Sequence, residues 1–230
     1  MNGQIGVDYE LVSKSVRLRI QCPIPGHFTV MNTMQAAICA LELGFGASAV
    51  KTALSSLLGI KGRMERVRLG HEANFAVFID YAHTPDALEK LLRTAKDFCL
   101  EGQRVVVVFG CGGDRDRGKR PLMGAVAERY SDVVIVTSDN SRSEEPQQII
   151  NEIVSGMEHQ PIVILNRADA IRYAILNAKP KDLILLAGKG HEEYELNRNG
   201  KIPFSERKIV LEAFEERKSR KDQTAETDRS

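Results

Sequence analysis

Aspartate, asparagine and arginine stand within four positions of one another in VVIVTSDNSRSEEP, residues 133–146, directly after an apolar run. A second apolar run ends in a similar way in LILLAGKGHEEY, residues 183–194, which offers Gly188, Gly190 and Glu192. An apolar strand that stops at a polar cluster marks the carboxyl edge of a parallel sheet, where open α/β folds place their ligands. There Asp139, Asn140 and Arg142, with Ser141 between them, are expected to face Glu192 across the Gly188–Gly190 turn. A guanidinium fork suits a carboxylate, and carboxylates suit an ammonium group. A free amino acid presents both charges, so the expected small-molecule partner is a zwitterion.

Two further loops carry candidate groups. FGCGGDRDRGKRP, residues 109–121, runs from a strand into a glycine cluster followed by Arg115, Arg117, Lys119 and Arg120. Its spacing fits neither GxGxxG nor GxxxxGK[ST], so the glycines alone are weak support for a nucleotide loop. The plain alternative is a solvated surface loop. Against it, Asp114 and Asp116 interleave with the arginines, which makes Arg115 a candidate clamp for a carboxylate or phosphate. In DYAHTPDAL, residues 80–88, Asp80 ends a strand and His83 stands just before a helix start. A lone histidine there is more often structural, but a helix N-terminus attracts anions and an aspartate can accept two ribose hydroxyls.

The elements that must position these groups follow from periodicity. Residues 1–60 carry an alternating stretch, VRLRI, then the turn segment CPIPGHF and two helical patterns, one over MNTMQAAICALELGF and one from Ala47 to Leu58. One short strand and two helices are too little to close a core, and exposed apolar surface is expected. From about residue 62 short apolar strands alternate with helical patterns, as strands buried on both faces of a parallel sheet do. Thr84 and Pro85 supply the N-cap and first-turn signal of the helix that runs to about Phe98. The expected fold is a doubly wound, mostly parallel, Rossmann-like α/β sheet over 61–220, with a disordered tail at 221–230.

Composition limits the partners. The 230 residues hold 32 basic and 31 acidic side chains, a net charge of +1, so no global field draws nucleic acid or an anionic membrane. Four scattered cysteines without CxxC spacing and no signal segment point to free thiols in the cytoplasm. No apolar run approaches the roughly 18 residues that a membrane span needs.

Six segments occur in a telling order: NTMQAA (32–37), GRME (62–65), DYAHTPDAL (80–88), FGCGGDRDRGKRP (109–121), TSDNSRSEEP (137–146) and GKGHEEY (188–194). Together they resemble the Mur ligases, and most of all the branch that adds the third peptide residue of peptidoglycan. The resemblance covers about residues 25–210 and implies a C-terminal domain preceded, over 1–60, by the trailing end of the family's central domain. It implies ATP binding by Asn32, Arg63, Asp80 and His83. It likewise implies meso-diaminopimelate binding by Arg115, Asp139, Asn140, Ser141, Arg142, Gly188 and Glu192. Such ligases use ATP and Mg²⁺ to phosphorylate the terminal carboxylate of a UDP-N-acetylmuramoyl dipeptide, and the amine of the incoming residue then attacks the acyl phosphate.

The chemistry of the residues agrees with that assignment. meso-Diaminopimelate has a distal carboxylate that lysine lacks, and an Arg142 fork left unpaired in a buried site would cost on the order of several kcal/mol. Lysine-adding relatives lack an arginine at this place. Ser141 stands where the family usually has proline, which would have preorganised the loop by a few tenths to about 1 kcal/mol. The family's P-loop, magnesium-binding glutamate, modified lysine and UDP-sugar domain find no counterpart, since the GK pairs at Gly118 and Gly188 lack a following Ser or Thr. The chain by itself is therefore expected not to ligate and to contain no metal site. The alternatives are a non-catalytic module for a diamino acid or ADP, a lysine-adding member of the family, and an unrelated dinucleotide oxidoreductase, which the missing GxGxxG disfavours.

Overall fold

In the computed structural model, residues 6–13, 16–57, 59–99 and 102–227 are described. The chain forms two compact units, Met1–Ile60 and Lys61–Ser230.

In the first unit, β1 (Val7–Val12) pairs antiparallel with β2 (Arg17–Cys22), and α1 (His27–Glu42) and α2 (Ala47–Ser55) follow. The alternation read in VRLRI is real: Leu18, Ile20 and Cys22 are buried while Arg17, Arg19 and Gln21 are exposed. β1 was not expected. Its sequence, VDYELV, alternates apolar and polar residues, but the strand is short and buries only Leu11 fully. With β1 present, Leu11, Leu18, Ile20, Ala37, Val50 and Leu54 form a small core of their own, contrary to the expectation that this segment could not close one. Phe28, Met31, Ile38, Leu43 and Phe45 are nevertheless exposed.

The second unit opens with β3 (Glu65–Val67) and β4 (Ala76–Asp80). Then α3 (Pro85–Phe98), β5 (Val105–Phe109), α4 (Lys119–Tyr130), β6 (Val133–Val136), α5 (Pro146–Val154), β7 (Ile162–Val163), α6 (Arg167–Leu176) and β8 (Leu183–Ala187) alternate. A hairpin of β9 (Tyr194–Asn197) and β10 (Gly200–Pro203) leads into α7 (Glu206–Thr227). The sheet order is β3-β4-β8-β5-β6-β7, with β3 antiparallel to β4 and every other neighbour parallel. β8, the last strand to join, thus lies between β4 and β5. The loops after β4 and β5 lead to α3 and α4, which pack together, whereas the chain after β8 leads to α7 beside α6; strand-end loops that diverge in this way are where an open α/β sheet forms a crevice.

Strand periodicity distributes the core. Val77, Ile79, Val106, Val108, Ile135, Ile184 and Leu186 face Ala170, Ile171, Ala174 and Ile175 of α6 and Val210, Ala213 and Phe214 of α7. The intervening residues, Phe78, Val107, Phe109 and Leu185, are buried too and point to the opposite face. Double burial explains the unbroken apolar runs VVVVF and LILLA. Thr84 Oγ1 accepts from Ala87 N at 3.3 Å with Pro85 in the first turn, so α3 begins where its residues dictate. α7, in contrast, continues to Thr227 instead of giving way to a disordered tail at 221. Lys, Gln, Ala and Glu in that stretch are good helix formers, and no Gly or Pro interrupts them. Residues 228–230 of the expected tail lie outside the described residues.

Two fully buried arginines tie the carboxyl edge of the sheet together. Arg120, expected on a solvated loop, has its side chain wholly buried and forms a fork on Glu144, NH1 to Oε2 at 3.0 Å and NH2 to Oε1 at 2.8 Å, with Glu152 at 2.7 Å. Glu144 also accepts from Asp114 N at 2.6 Å, so one carboxylate fastens the glycine loop to the loop after β6. Arg167 donates to Glu206 Oε1 at 2.8 Å and 2.9 Å, to Ala187 O at 2.8 Å and to Ser138 O at 3.3 Å, joining the ends of β8 and β6. Burial pushes the Glu206 carboxyl upward, against the Arg167 charge.

Two measurements test this framework. Ile184→Ala, in the central strand, should lower the unfolding free energy by about 2–5 kcal/mol in urea denaturation. The Arg120 hydrogen bond is the main reason that the Glu144 carboxyl lies at about 2, below its ordinary 4.5, so its contribution is present above about pH 5 and lost as pH falls toward 2. The stability gap between wild type and Glu144→Gln should therefore be widest near neutrality and narrow below pH 4.5; a gap independent of pH would exclude this clamp.

Candidate functional site

The loop after β6 is held from three sides. Asn140 is buried, and its Oδ1 accepts from Lys189 Nζ at 2.9 Å and from Leu196 N at 2.9 Å while its Nδ2 donates to Glu192 Oε2 at 2.7 Å. Arg142 N donates to Leu196 O at 3.0 Å, so the β9–β10 hairpin is docked along the same loop. Asp139 is buried against Gly188, where a Cβ would stand 2.9 Å from Asp139 Oδ2 and where φ is +116°. The expected grouping of Asp139, Asn140, Arg142, Gly188 and Glu192 is thus one constellation at the ends of β6 and β8.

Arg142 has φ 51°, a left-handed conformation that an arginine adopts at a cost of about 1–3 kcal/mol and that the surrounding bonds must enforce. Its NH1 donates to Gly113 O at 2.8 Å and to Asn140 O at 3.3 Å. Among the described residues Nε and NH2 have no partner, and these two nitrogens form the side-on face of a guanidinium fork. The side chain is half-buried, so leaving the fork unpaired costs less than full burial would imply. Ser141 is buried with its carbonyl accepting from Glu144 N at 3.0 Å. Among the described residues its own amide donates to nothing, so the serine forfeits no bond relative to proline. Arg115 is exposed, and its Cγ would stand 3.8 Å from a Cβ on Gly112. It forms no hydrogen bond among the described residues.

A second cluster gathers at the end of β4. Asp80 is buried, and its two oxygens accept from Met64 N and Ala82 N, each at 2.8 Å. Burial raises its carboxyl, against those two bonds and Arg63. It is therefore first a brace for the Gly62–Met64 segment, with only its remaining lone pairs open to a ribose. The Arg63 guanidinium lies 4.9 Å from the centre of the Tyr81 ring, which also meets His83 at 4.6 Å and His191 at 5.3 Å. His83 Nδ1 is 2.8 Å from Tyr81 O, a group that only accepts, so Nδ1 carries the proton. Lys119 Nζ donates to His83 O at 2.7 Å. A cationic and aromatic surface of this kind suits a nucleotide base and its phosphates. Asn32, the remaining ATP candidate, is an exposed residue of α1 in the first unit.

Several contributors escaped the sequence reading. Tyr81 and His191 were inside the motifs but unremarked, though an aromatic and an imidazole beside two strand ends were available signals. Lys189 was unremarked too, and nothing local in GKG marks it as fully buried. Among the described residues no group of three His, Cys, Asp or Glu side chains is placed to hold a metal ion. No helix among them is long and apolar enough to cross a membrane.

Comparison with known proteins gives this geometry a family. Over 212 residues the chain is 42% identical to UDP-N-acetylmuramoyl-L-alanyl-D-glutamate–2,6-diaminopimelate ligase 1 of Clostridium acetobutylicum, covering 92% of this chain and 44% of that protein. It is 45% identical over 199 residues to the ligase so named from Syntrophomonas wolfei, covering 85% of this chain and 40% of the relative. The chain thus spans less than half the length of these curated relatives. A solved structure of a UDP-N-acetylmuramoyl-L-alanyl-D-glutamate–2,6-diaminopimelate ligase superposes with a TM-score of 0.68 at 37% identity, over 90% of this chain and 42% of that one. The Mur ligase, glutamate ligase domain matches residues 62–190, more than half of this chain, and nearly all the strand-end loops described above lie inside that match. The chain belongs to the Mur ligase family and carries its C-terminal, glutamate ligase domain.

Proposed function

We propose that this chain is the amino-acid-binding part of an ATP-dependent ligase that joins meso-diaminopimelate to UDP-N-acetylmuramoyl-L-alanyl-D-glutamate in peptidoglycan synthesis. The observation that carries the reading is the constellation of Asp139, Asn140, Arg142, Gly188 and Glu192 at the ends of β6 and β8. Its two carboxylates would hold an ammonium group. The free face of the Arg142 fork would take the distal carboxylate, with Arg115 within the reach of a long side chain. Relatives bearing the diaminopimelate ligase name support the same substrate.

ATP belongs to this reading. Arg63, Tyr81, His83 and His191 offer stacking and positive charge for the nucleotide, beside Asp80 at the strand end. Bound ATP would supply the phosphoryl group that activates the dipeptide carboxylate for attack by the diamino acid's amine. Mg²⁺ would accompany it, but the described residues show no donor cluster for the ion, so its ligands would come from outside them. The nucleotide-linked substrate and the remaining domains would complete the enzyme, which would work in the cytoplasm, where both nucleotides are made.

Calorimetry on this chain tests the site directly. meso-Diaminopimelate should bind in preference to lysine by roughly 10- to 150-fold, the range for a charged hydrogen bond left unmade. Arg142→Ala should remove that preference, chiefly by weakening meso-diaminopimelate binding. Equal affinity for the two ligands in the wild type would refute the role of Arg142.

A further inference from the structure

Lys189 is enclosed between Gly188 and Gly190, is 0% exposed and has no carboxylate within ordinary hydrogen-bonding distance. Its ammonium donates to Asn140 Oδ1 at 2.9 Å and to Tyr194 O at 3.0 Å, lies 4.0 Å from Asp139 Oδ1 and sits 5.3 Å from the centre of the Phe204 ring. Asp139, Glu192, Glu195 and Arg167 are the charged groups that act on it. Burying an ammonium is costly, and burial draws its pKa below the ordinary lysine value. An apolar residue would fill this space at less cost if space-filling were the only requirement.

What the lysine supplies, together with Leu196 N, is direction. The two ends of an asparagine amide have nearly the same shape, and only the partners decide which is oxygen and which is nitrogen. Lys189 Nζ and Leu196 N are both pure donors, so together they take both lone pairs of Asn140 Oδ1 and require Nδ2 to point the other way. In that direction lies Glu192 Oε2, at 2.7 Å. Glu192 has no other hydrogen-bond partner for its side chain among the described residues.

We propose that Lys189 is a positioning residue of the amino-acid site: its ammonium fixes the orientation of the Asn140 amide, and through that amide holds Glu192 where the ligand's ammonium binds. The proposal rests on the reading of these loops as an amino-acid site, but the orientation of the amide can be measured without any ligand. In ¹⁵N–¹H spectra of the whole chain, the Asn140 side-chain amide, assigned with Asn140→Asp, should be protected in the wild type. In Lys189→Met it should shift and lose its protection.

The second arm measures meso-diaminopimelate affinity in the wild type, Lys189→Met, Asn140→Ala and the double variant. Lys189→Met should weaken binding about tenfold, and the double variant should bind no more weakly than Asn140→Ala alone. Lys189→Gln, which keeps a donor, should recover part of the affinity, and it replaces the methionine variant if that one fails to fold. An unchanged Asn140 amide, or losses that add in the double variant, would overturn the positioning role. A wild-type chain that does not bind meso-diaminopimelate would sink the amino-acid reading instead, and the amide spectrum would still decide what Lys189 does.

Discussion

The loops at the carboxyl edge of the sheet pack so closely that backbone meets backbone, and the rest of the site depends on that approach. A Cβ on Gly113 would stand 2.0 Å from Ser141 O, and one on Gly190, where φ is +55°, would stand 2.6 Å from Tyr81 Cβ. No rotamer relieves either clash. The glycines of FGCGG and GKG therefore let the loops after β4, β5, β6 and β8 nest against one another. Only then can one asparagine touch both the residue after Gly188 and the start of the β9–β10 hairpin.

Nested loops bring buried charge with them. Arg120 and Arg167 are each fully buried on a carboxylate, and each bonds groups from more than one loop. Replacing such a pair with apolar residues often costs no stability, whereas removing one partner leaves a buried charge uncompensated and is expensive. Their value here is geometric. Each guanidinium has several fixed donor directions, so it can set the ends of strands that are not neighbours in sequence.

The sheet was legible because its strands are buried on both faces: VVVVF and LILLA admit few other readings, and Thr84-Pro85 punctuates α3 plainly. β1 was missed although VDYEL alternates, because the strand is short and only Leu11 is deeply buried, and the helical tail because its polar residues have high helix propensity without any apolar stripe. At the site, residue types marked Asp139, Asn140, Arg142 and Glu192, since a polar cluster directly after an apolar strand marks the ligand edge of a parallel sheet. Arg120 and Lys189 were hidden for the opposite reason. Their burial comes from contacts 24 and 49 residues distant in the chain, which no local pattern records.

Lys189 differs from the two arginines in a way that bears on ligand choice. Arg120 and Arg167 are neutralised by the carboxylates they grip, while Lys189 spends its hydrogen bonds on an amide and a carbonyl. Its charge therefore remains to act on Asp139 and Glu192. Taking those two carboxylates with Lys189 and Arg142, two negative and two positive groups line the constellation and their formal sum is zero. Glu195 stands nearby, its carboxyl pushed up by burial against the pull of Lys189 and Arg167. A site with balanced charges favours a ligand that is also balanced, because any net charge carried in must be desolvated without a counterion. A diamino acid with two carboxylates meets that condition, whereas lysine brings an extra positive charge and leaves the Arg142 fork unmatched. Selectivity would thus arise from the whole charge set, with Arg142 as the element that reads the distal carboxylate and Lys189 as the element that keeps the opposing wall in place.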